Sequence, residues 1–244
     1  MRTVRISVCI ATYNGEKFIE RQLESIISQL DERDEVIVSD DGSTDATMQI
    51  VNSINSPLVR VVNNKSVHGY TGNFENALNE AKGEYIFLSD QDDEWAPNKV
   101  EKCMQYLDSC DFVVSDASIV DAQGGVLAPS FFLMRSPKTG FWGNLYKFGY
   151  IGCCMAFRRN VLVKALPIPR NHVLCSHDNW LMLVASLYYR CKVVNDKLVR
   201  YRRHGGNAST GEVKGRKSSF FRIKYRAYLF GNVLSRCWVK QKDA

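Results

Sequence analysis

Strand-like and helix-like runs alternate through the N-terminal part of this chain, and that alternation constrains the fold more than any other feature. Arg5-Ile6-Ser7-Val8-Cys9-Ile10-Ala11 is rich in β-branched and apolar residues and reads as a buried strand. Phe18, Ile19, Leu23, Ile26, Ile27 and Leu30 recur at helical spacing and predict an amphipathic helix over 16–30. The cycle then repeats. Residues 35–39 read as a strand, and a helix runs through Met48, Ile50 and Val51, with Ser43 or Thr44 able to cap it. Residues 59–62 form the next strand. Phe74, Ala77, Leu78 and Ala81 make a helical stripe stopped by Gly83, and residues 84–89 form a fourth strand. Short connections between alternating strands and helices predict a parallel sheet covered on both faces. Ligands of such sheets sit at the carboxyl ends of the strands. Thr12-Tyr13-Asn14, Asp40-Asp41 and Asp90/Asp92/Asp93 all fall at such ends, so three polar clusters are expected on one rim.

Beyond Asp93 the pattern loosens. A helix is expected over Lys99–Leu107 and a strand over 111–115, which 118–120 continue or pair with. Residues 122–150 are rich in Gly, Pro and aromatics and predict loops and a hydrophobic substrate wall. A strand is expected within 149–157, a buried helix over 179–189, and short strands at 192–195 and 198–201.

Composition sets limits on function. A chain of 244 residues with 45% hydrophobic and 24% charged residues is globular, not disordered or fibrous. No uncharged stretch reaches the roughly 18 residues of a spanning helix. The N-terminus passes from Met1-Arg2 directly into a strand, with no secretory signal pattern, so a cytoplasmic location is expected. The eight cysteines lack any CxxC spacing and read as reduced, mostly buried thiols. Four scattered histidines do not supply a zinc site. The net charge of +6 is unevenly placed: residues 214–244 hold nine basic residues against Asp243, a local +8 that leaves −2 for the rest.

Asp90, Asp92 and Asp93 carry the clearest chemistry. Three carboxylates within four residues repel one another, and a hard divalent cation such as Mg²⁺ or Mn²⁺ would neutralise them. One carboxylate of Asp40-Asp41 could accept from a nucleobase imide or a ribose hydroxyl, as acidic residues do in dinucleotide sites. Thr12-Tyr13-Asn14 offers a hydroxyl, an aromatic face for a base and an amide.

Ser7-Val8-Cys9-Ile10-Ala11-Thr12-Tyr13-Asn14, Val38-Ser39-Asp40-Asp41-Gly42-Ser43-Thr44-Asp45 and Leu88-Ser89-Asp90-Gln91-Asp92-Asp93-Glu94-Trp95 together resemble the signature blocks of family 2 glycosyltransferases with the GT-A fold. His177-Asp178-Asn179-Trp180-Leu181 and Tyr201-Arg202-Arg203-His204-Gly205-Gly206-Asn207-Ala208-Ser209 resemble the bacterial surface-polysaccharide branch, including rhamnosyltransferase-like members. The likeness covers roughly residues 4–210. It implies an α/β fold with a Rossmann-like parallel or mixed sheet, divided into a nucleotide-sugar half (1–98) and an acceptor half (99–213), followed by a basic helical tail. Ala11, Thr12, Tyr13, Asn14, Asp41, Asn73, Asp90, Gln91 and Asp92 would then hold the nucleotide of a UDP- or dTDP-sugar. Asp92, Asp93 and His204 would hold Mn²⁺ or Mg²⁺. Asp178 would be the catalytic base of an inverting transfer, although the family more often has Glu-Asp where this chain has His177-Asp178. Arg202, Arg203, His177 and Trp180 would meet the diphosphate or the acceptor. The branch implies a lipid-diphosphate-linked saccharide acceptor in O-antigen or capsule synthesis.

In the tail, Phe221, Tyr225, Tyr228, Leu229, Val233 and Cys237 form an apolar stripe with Arg222, Arg226, Arg236 and Lys240 off it. That pattern predicts peripheral attachment of 214–244 to the anionic inner face of the cell membrane. The acidic rim argues against nucleic acid as a partner. Two competing readings are a phospho-receiver-like signalling module, which would need only about 120 residues, and a nucleotide-sugar binder without catalysis.

Overall fold

A computed structural model of the chain describes residues 3–65, 67–207 and 218–239. The anticipated alternation is present. Strand β1 (Ile6–Thr12) lies between β2 (Glu35–Asp40) and β4 (Tyr85–Asp90), with β3 (Val59–Asn63) outside β2, all parallel. Helices α1 (Ile19–Ile27), α2 (Thr47–Ser53) and α3 (Tyr70–Glu80) connect them. Ile6, Val8, Cys9 and Ile10 of β1, Val36, Ile37 and Val38 of β2, and Ile86, Phe87 and Leu88 of β4 are fully buried, as a sheet covered on both faces requires. The pairing register sets Thr12 beside Asp40 and Ala11 beside Asp90, so the polar clusters do share one edge.

The second half extends the same sheet. After β5 (Glu94–Trp95) and α4 (Lys99–Leu107) come β6 (Phe112–Val120), β7 (Val126–Ala128), α5 (Phe131–Arg135), α6 (Gly140–Tyr146), β8 (Met155–Arg158), α7 (Asn160–Ala165), α8 (His177–Tyr188), β9 (Cys191–Arg202) and α9 (Ser219–Ser235). The strand order is β3-β2-β1-β4-β8-β6-β9-β5, with β7 paired to β6. β8 runs antiparallel between β4 and β6, which makes the sheet mixed.

Several local expectations change. Residues 118–120 continue β6, and the two short strands expected at 192–201 are one strand, β9, paired parallel to β6 through a register shift at Asp116. That irregularity frees the Asp116 carboxylate to accept from Ser130 Oγ (2.5 Å) and the Phe132 N–H (2.9 Å). Ser130 in turn caps α5 by accepting from the Leu133 N–H. The expected loop region 122–150 therefore contains β7 and two short helices. The strand expected within 149–157 shortens to β8, because Gly152–Cys154 form a 3-10 turn. Ser43 does not cap α2; its hydroxyl donates to Asp40 Oδ1 (2.5 Å), and Asp45 accepts from the Thr47 N–H instead. All eight cysteines are unpaired, and six are buried.

Helix α8 starts at His177, two residues before its expected start, and is apolar on nearly every face. Trp180, expected at the acceptor site, is wholly buried, and its indole N–H donates to the Ala165 carbonyl (2.6 Å). It pins α8 to α7 and is a core residue. The apolar stripe of the tail is likewise used inside the protein. Leu229 and Val233 are buried, Tyr225 Oη pairs with Asn179, Tyr228 Oη accepts from the Asn171 N–H, and Tyr188 Oη donates to the Val233 carbonyl. That stripe is not available to a membrane. Residues 208–217 and 240–244 of the tail lie outside the described residues. Among the described residues, no helix is long and apolar enough to cross a membrane.

Trp180→Ala is expected to lower unfolding stability by about 3–5 kcal/mol, and Trp180→Phe by about 1–2 kcal/mol through the lost hydrogen bond. Urea unfolding of the two variants measures both.

Candidate active site

The ends of β1, β2 and β4 open into a cavity of about 510 Å³. Ala11, Thr12, Tyr13, Asp41, Asn73, Asp90, Gln91 and Asp92 line it, as do His177 and Asp178 from the start of α8. Phe131 and Arg135 of α5 and the segment Phe148–Gly152 contribute the remaining apolar wall, where the sequence suggested a substrate wall. Most of the expected nucleotide residues thus meet around one space.

Their hydrogen bonds separate supports from free faces. Gln91 Oε1 accepts from Thr12 Oγ1 (2.5 Å) and the Tyr13 N–H (2.8 Å), and its amide donates to the Tyr13 carbonyl (3.0 Å). Gln91 therefore fixes the turn after β1 and leaves the Tyr13 ring half exposed. Asn73 donates to the Thr12 carbonyl (3.0 Å), while its own Oδ1 is buried without a partner. Asp41 accepts from Asn64 (2.6 Å), His68 Nδ1 (3.0 Å) and the Gly69 N–H (2.7 Å). Gly69 has φ 102°, a conformation that favours glycine, and this lets its N–H reach the carboxylate. Asn14 does not line the cavity. Its backbone is left-handed (φ 48°), its N–H donates to Ser43 Oγ and its Oδ1 accepts from the Thr44 N–H. It clasps the loops after β1 and β2 together.

The three acidic residues divide. Asp92 lines the cavity, and its Oδ2 accepts from Asn207 (2.9 Å) and lies 2.9 Å from His204 Nε2. Burial raises its pKa, with His204 opposing the shift. Asp90 also lines the cavity; burial first, and then Asp93, Asp92 and Asp178, push its pKa well up. Asp93 is almost wholly buried, its Oδ1 accepts from the Arg202 N–H (2.8 Å), and its Oδ2 has no partner. Burial, followed by Asp92, raises it to about 8. Ligand atoms of Asp90, Asp93 and Cys153 lie within 4.8 Å of one another, close enough to share a cation. Burial, and Cys154, Asp93 and Asp90 after it, push the Cys153 thiol well above its usual range. Asp92, which lines the cavity, sits beside the His204 imidazole, which does not.

Arg202, expected at the diphosphate, does not line the cavity. It is 1% exposed, donates through Nε to the Asp92 carbonyl (3.0 Å) and through Nη1 to the carbonyls of Asp121 and Ala122, and lies 3.5 Å from Glu94. Its donors are spent bracing the acidic segment. Arg203 donates its N–H to the Val120 carbonyl (2.8 Å) and does not line the cavity. His204 stacks on Phe18 with centroids 4.6 Å apart. The lining cation that the sequence did not single out is Arg135, hidden there in a stretch read as loop. No local signal marks it, because the capped helix that carries it depends on Asp116.

Asp178 lines the cavity, and its Oδ1 accepts its neighbour's Asn179 N–H (2.7 Å), leaving Oδ2 toward other partners. His177 is buried, stacked on Phe74 (centroids 4.0 Å) and edge-on to Tyr70 (5.8 Å). Neither ring nitrogen has a partner. A side chain on Gly152 would come within 2.7 Å of His177 Nε2, so that glycine makes room for the ring. Burial lowers the imidazole pKa from 6.5 to about 4, and His177 is neutral at pH 7.

This makes a pH prediction. Below 6.5 the unfolded chain takes up a proton that folded His177 refuses until about 4, so its contribution to stability is full above 6.5 and lost as pH falls toward 4. His177→Met is expected to flatten the thermal midpoint across pH 4–6.5 relative to the parent chain. An unchanged slope would contradict the buried neutral ring.

The family model for glycosyl transferase family 2 matches residues 7–166. The UDP-Glc:alpha-D-GlcNAc-diphosphoundecaprenol beta-1,3-glucosyltransferase WfaP of Escherichia coli is 28% identical over 211 residues, 86% of this chain and 81% of WfaP. The structure of S. aureus TarS 1–349 in complex with UDP has a TM-score of 0.67 at 21% identity, covering 98% of this chain and 67% of that one. Glucosyl-3-phosphoglycerate synthase from Mycobacterium tuberculosis, in complex with Mn²⁺, UDP and glucosyl-3-phosphoglycerate, has a TM-score of 0.60 at 18% identity, covering 98% of this chain and 82% of that one. The structural likenesses show the GT-A fold. Since the family match runs from β1 through α7, across the acidic cluster and most of the sheet, the chain belongs to glycosyl transferase family 2.

Proposed function

We propose that this enzyme moves a sugar from a nucleoside-diphosphate sugar to a saccharide carried on a lipid diphosphate, with inversion, in O-antigen or capsule synthesis. The observation that carries the reading is one cavity lined by Asp90 and Asp92 together with Asp178. Family membership sets aside a receiver-like module. The presence of Asp178 on the same cavity favours transfer over simple donor binding. The names of the relatives supply the ligand classes: a diphosphoundecaprenol-linked acceptor for WfaP, UDP for TarS, and Mn²⁺ with UDP for the mycobacterial synthase.

In this reading residues 1–98 hold the donor and 99–213 receive the acceptor. The Tyr13 ring stacks on the base, Asp41 reads a base N–H, and Asn73 Oδ1 and Asp90 meet the ribose side. Ala11, Thr12 and Gln91 shape the base pocket. Asp92 and His204 would hold Mn²⁺ or Mg²⁺, with Asp93 behind them. A bound cation would supply charge neutralisation for the leaving diphosphate. Arg135, on the cavity wall, would meet a phosphate on the acceptor. The acceptor hydroxyl attacks the sugar C1 from the face opposite the diphosphate, and the C1–O bond to that group breaks. Asp178 takes the hydroxyl proton as the new bond forms. A single displacement needs this one base, not the carboxylate pair of a glycosidase. Neutral His177 offers a hydrogen bond to a sugar hydroxyl without adding charge beside Asp178. Such an acceptor places the enzyme at the cytoplasmic face of the membrane.

Asp178→Asn is expected to lower turnover by roughly 10²–10⁴-fold while UDP binding is kept. Loss of UDP binding instead would reassign the residue. Asp92→Ala should abolish the rise in thermal midpoint that Mn²⁺ with UDP gives the parent protein.

A further inference from the structure

Helix α9 has a second apolar stripe, exposed at Phe220, Ile223, Ala227 and Leu234 and half-buried at Phe230, where it meets α6. Phe220, Ile223, Ala227, Phe230 and Leu234 fall within about 80° around the axis at 3.6 residues per turn. Phe220 is 77% exposed and Ile223 66%. Lys224 and Arg226 flank the stripe on its two sides. The stripe continues onto α6: Phe230 packs 5.8 Å from Trp142, itself 69% exposed. Arg226 spans the junction, donating to the carbonyls of Leu145 and Tyr146 with its guanidinium 4.9 Å from the Tyr146 ring. From α6 the surface passes to α5, since Lys147 Nζ donates to the Arg135 carbonyl, and Leu133 and Met134 are exposed there.

The charge on these segments has one sign. The chain has no acidic residue between Asp121 and Asp178, and none in 218–239. Lys138, Lys147, Arg222 and Lys224 are exposed. Exposed Trp, Tyr and Phe among Lys and Arg suit the interface of a bilayer with anionic headgroups, where rings enter the headgroup layer and cations meet phosphate. A water-facing surface would leave this apolar area uncovered.

We propose that the outer faces of α5, α6 and α9 form one surface that lies on an anionic lipid bilayer. α5 also sends Phe131 and Arg135 into the cavity wall, so the cavity borders this surface. The inference rests on the proposed reading of the site for the acceptor's chemistry, and on the surface alone for its contact with lipid. The stripe differs from the one that faces the body, and no residue in it touches the acidic cluster.

The test is cosedimentation of the full chain with vesicles of phosphatidylglycerol and phosphatidylcholine, against vesicles of phosphatidylcholine alone. The parent chain is expected to bind the anionic vesicles and to release in high salt. Phe220→Ser with Ile223→Ser, and separately Trp142→Ser, should weaken binding at least tenfold. Arg222→Glu with Lys224→Glu, at exposed positions, should do the same. UDP-induced thermal stabilisation, unchanged in these variants, shows that the fold and donor site persist. Equal sedimentation of parent and variants, or no binding by the parent, overturns the proposal. So does a parent dimer in solution that these substitutions split, which would assign the surface to a second copy. Vesicle binding without sugar transfer would refute the proposed activity and leave this surface standing; transfer without vesicle binding would do the reverse.

Discussion

Two carboxylates just after β4, Asp92 and Asp93, are held out of bulk water beside the partly exposed Asp90, and much of the second half of the structure is arranged around that constraint. An isolated buried carboxylate costs several kcal/mol unless it is paired or protonated. Here the compensation comes from far along the chain. Arg202, at the end of β9, holds the Asp92 carbonyl and the Asp93 carboxylate. Cys153, from the turn before β8, brings its sulfur within 4.8 Å of ligand atoms of Asp90 and Asp93. Asn207 and His204 attend Asp92. These contacts require β9 to lie in the same sheet as β4, and the order β4-β8-β6-β9 does this, with β5 closing back on β9. Losing one partner of such a buried set costs roughly 3–5 kcal/mol in typical cases, so the acidic segment and the β9 end stand or fall together.

The cavity follows from the same arrangement. Its floor is the acidic edge, and its far side is set by α8, whose first residues reach the rim because the helix behind them is locked in the core. Trp180 anchors α8 to α7, and the His177 ring stacks on Phe74 of α3. Asp178 is thereby presented beside Asp90 on a rigid element, the placement a proton-accepting group needs. His177 beside it is neutral at pH 7 and adds no charge of its own.

The first four strands, their parallel order and the shared polar rim were legible from the chain because each rests on local periodicity. Asp41, Asp90, Asp92 and Tyr13 were legible as a set because strand ends in such a sheet face one side, while Asp178, at the start of α8, was legible only through the family resemblance. What was not legible depends on contacts between distant segments. Arg202 and Trp180 look like site residues in a one-dimensional reading; only the pairing of β9 and the packing of α7 turn them into supports. Asn14 was misplaced for the same reason, since its partners lie on the loop after β2. Arg135 was missed because α5 depends on a strand irregularity at Asp116. In the tail, periodicity reports an apolar stripe but not its partner. One stripe of α9 faces the body and the other faces outward, and only the position of α6 and α8 separates them.

The central claim is a single displacement at C1 with one carboxylate base. The most direct test is the configuration of the product. The purified enzyme, given α-linked nucleoside-diphosphate sugars, Mn²⁺ and a lipid-diphosphate saccharide, would be followed by mass spectrometry for the donor that transfers, and the product examined by proton NMR. The account predicts that the anomeric signal of the transferred sugar shows the configuration opposite to the donor. A product that retains the donor's configuration would contradict it.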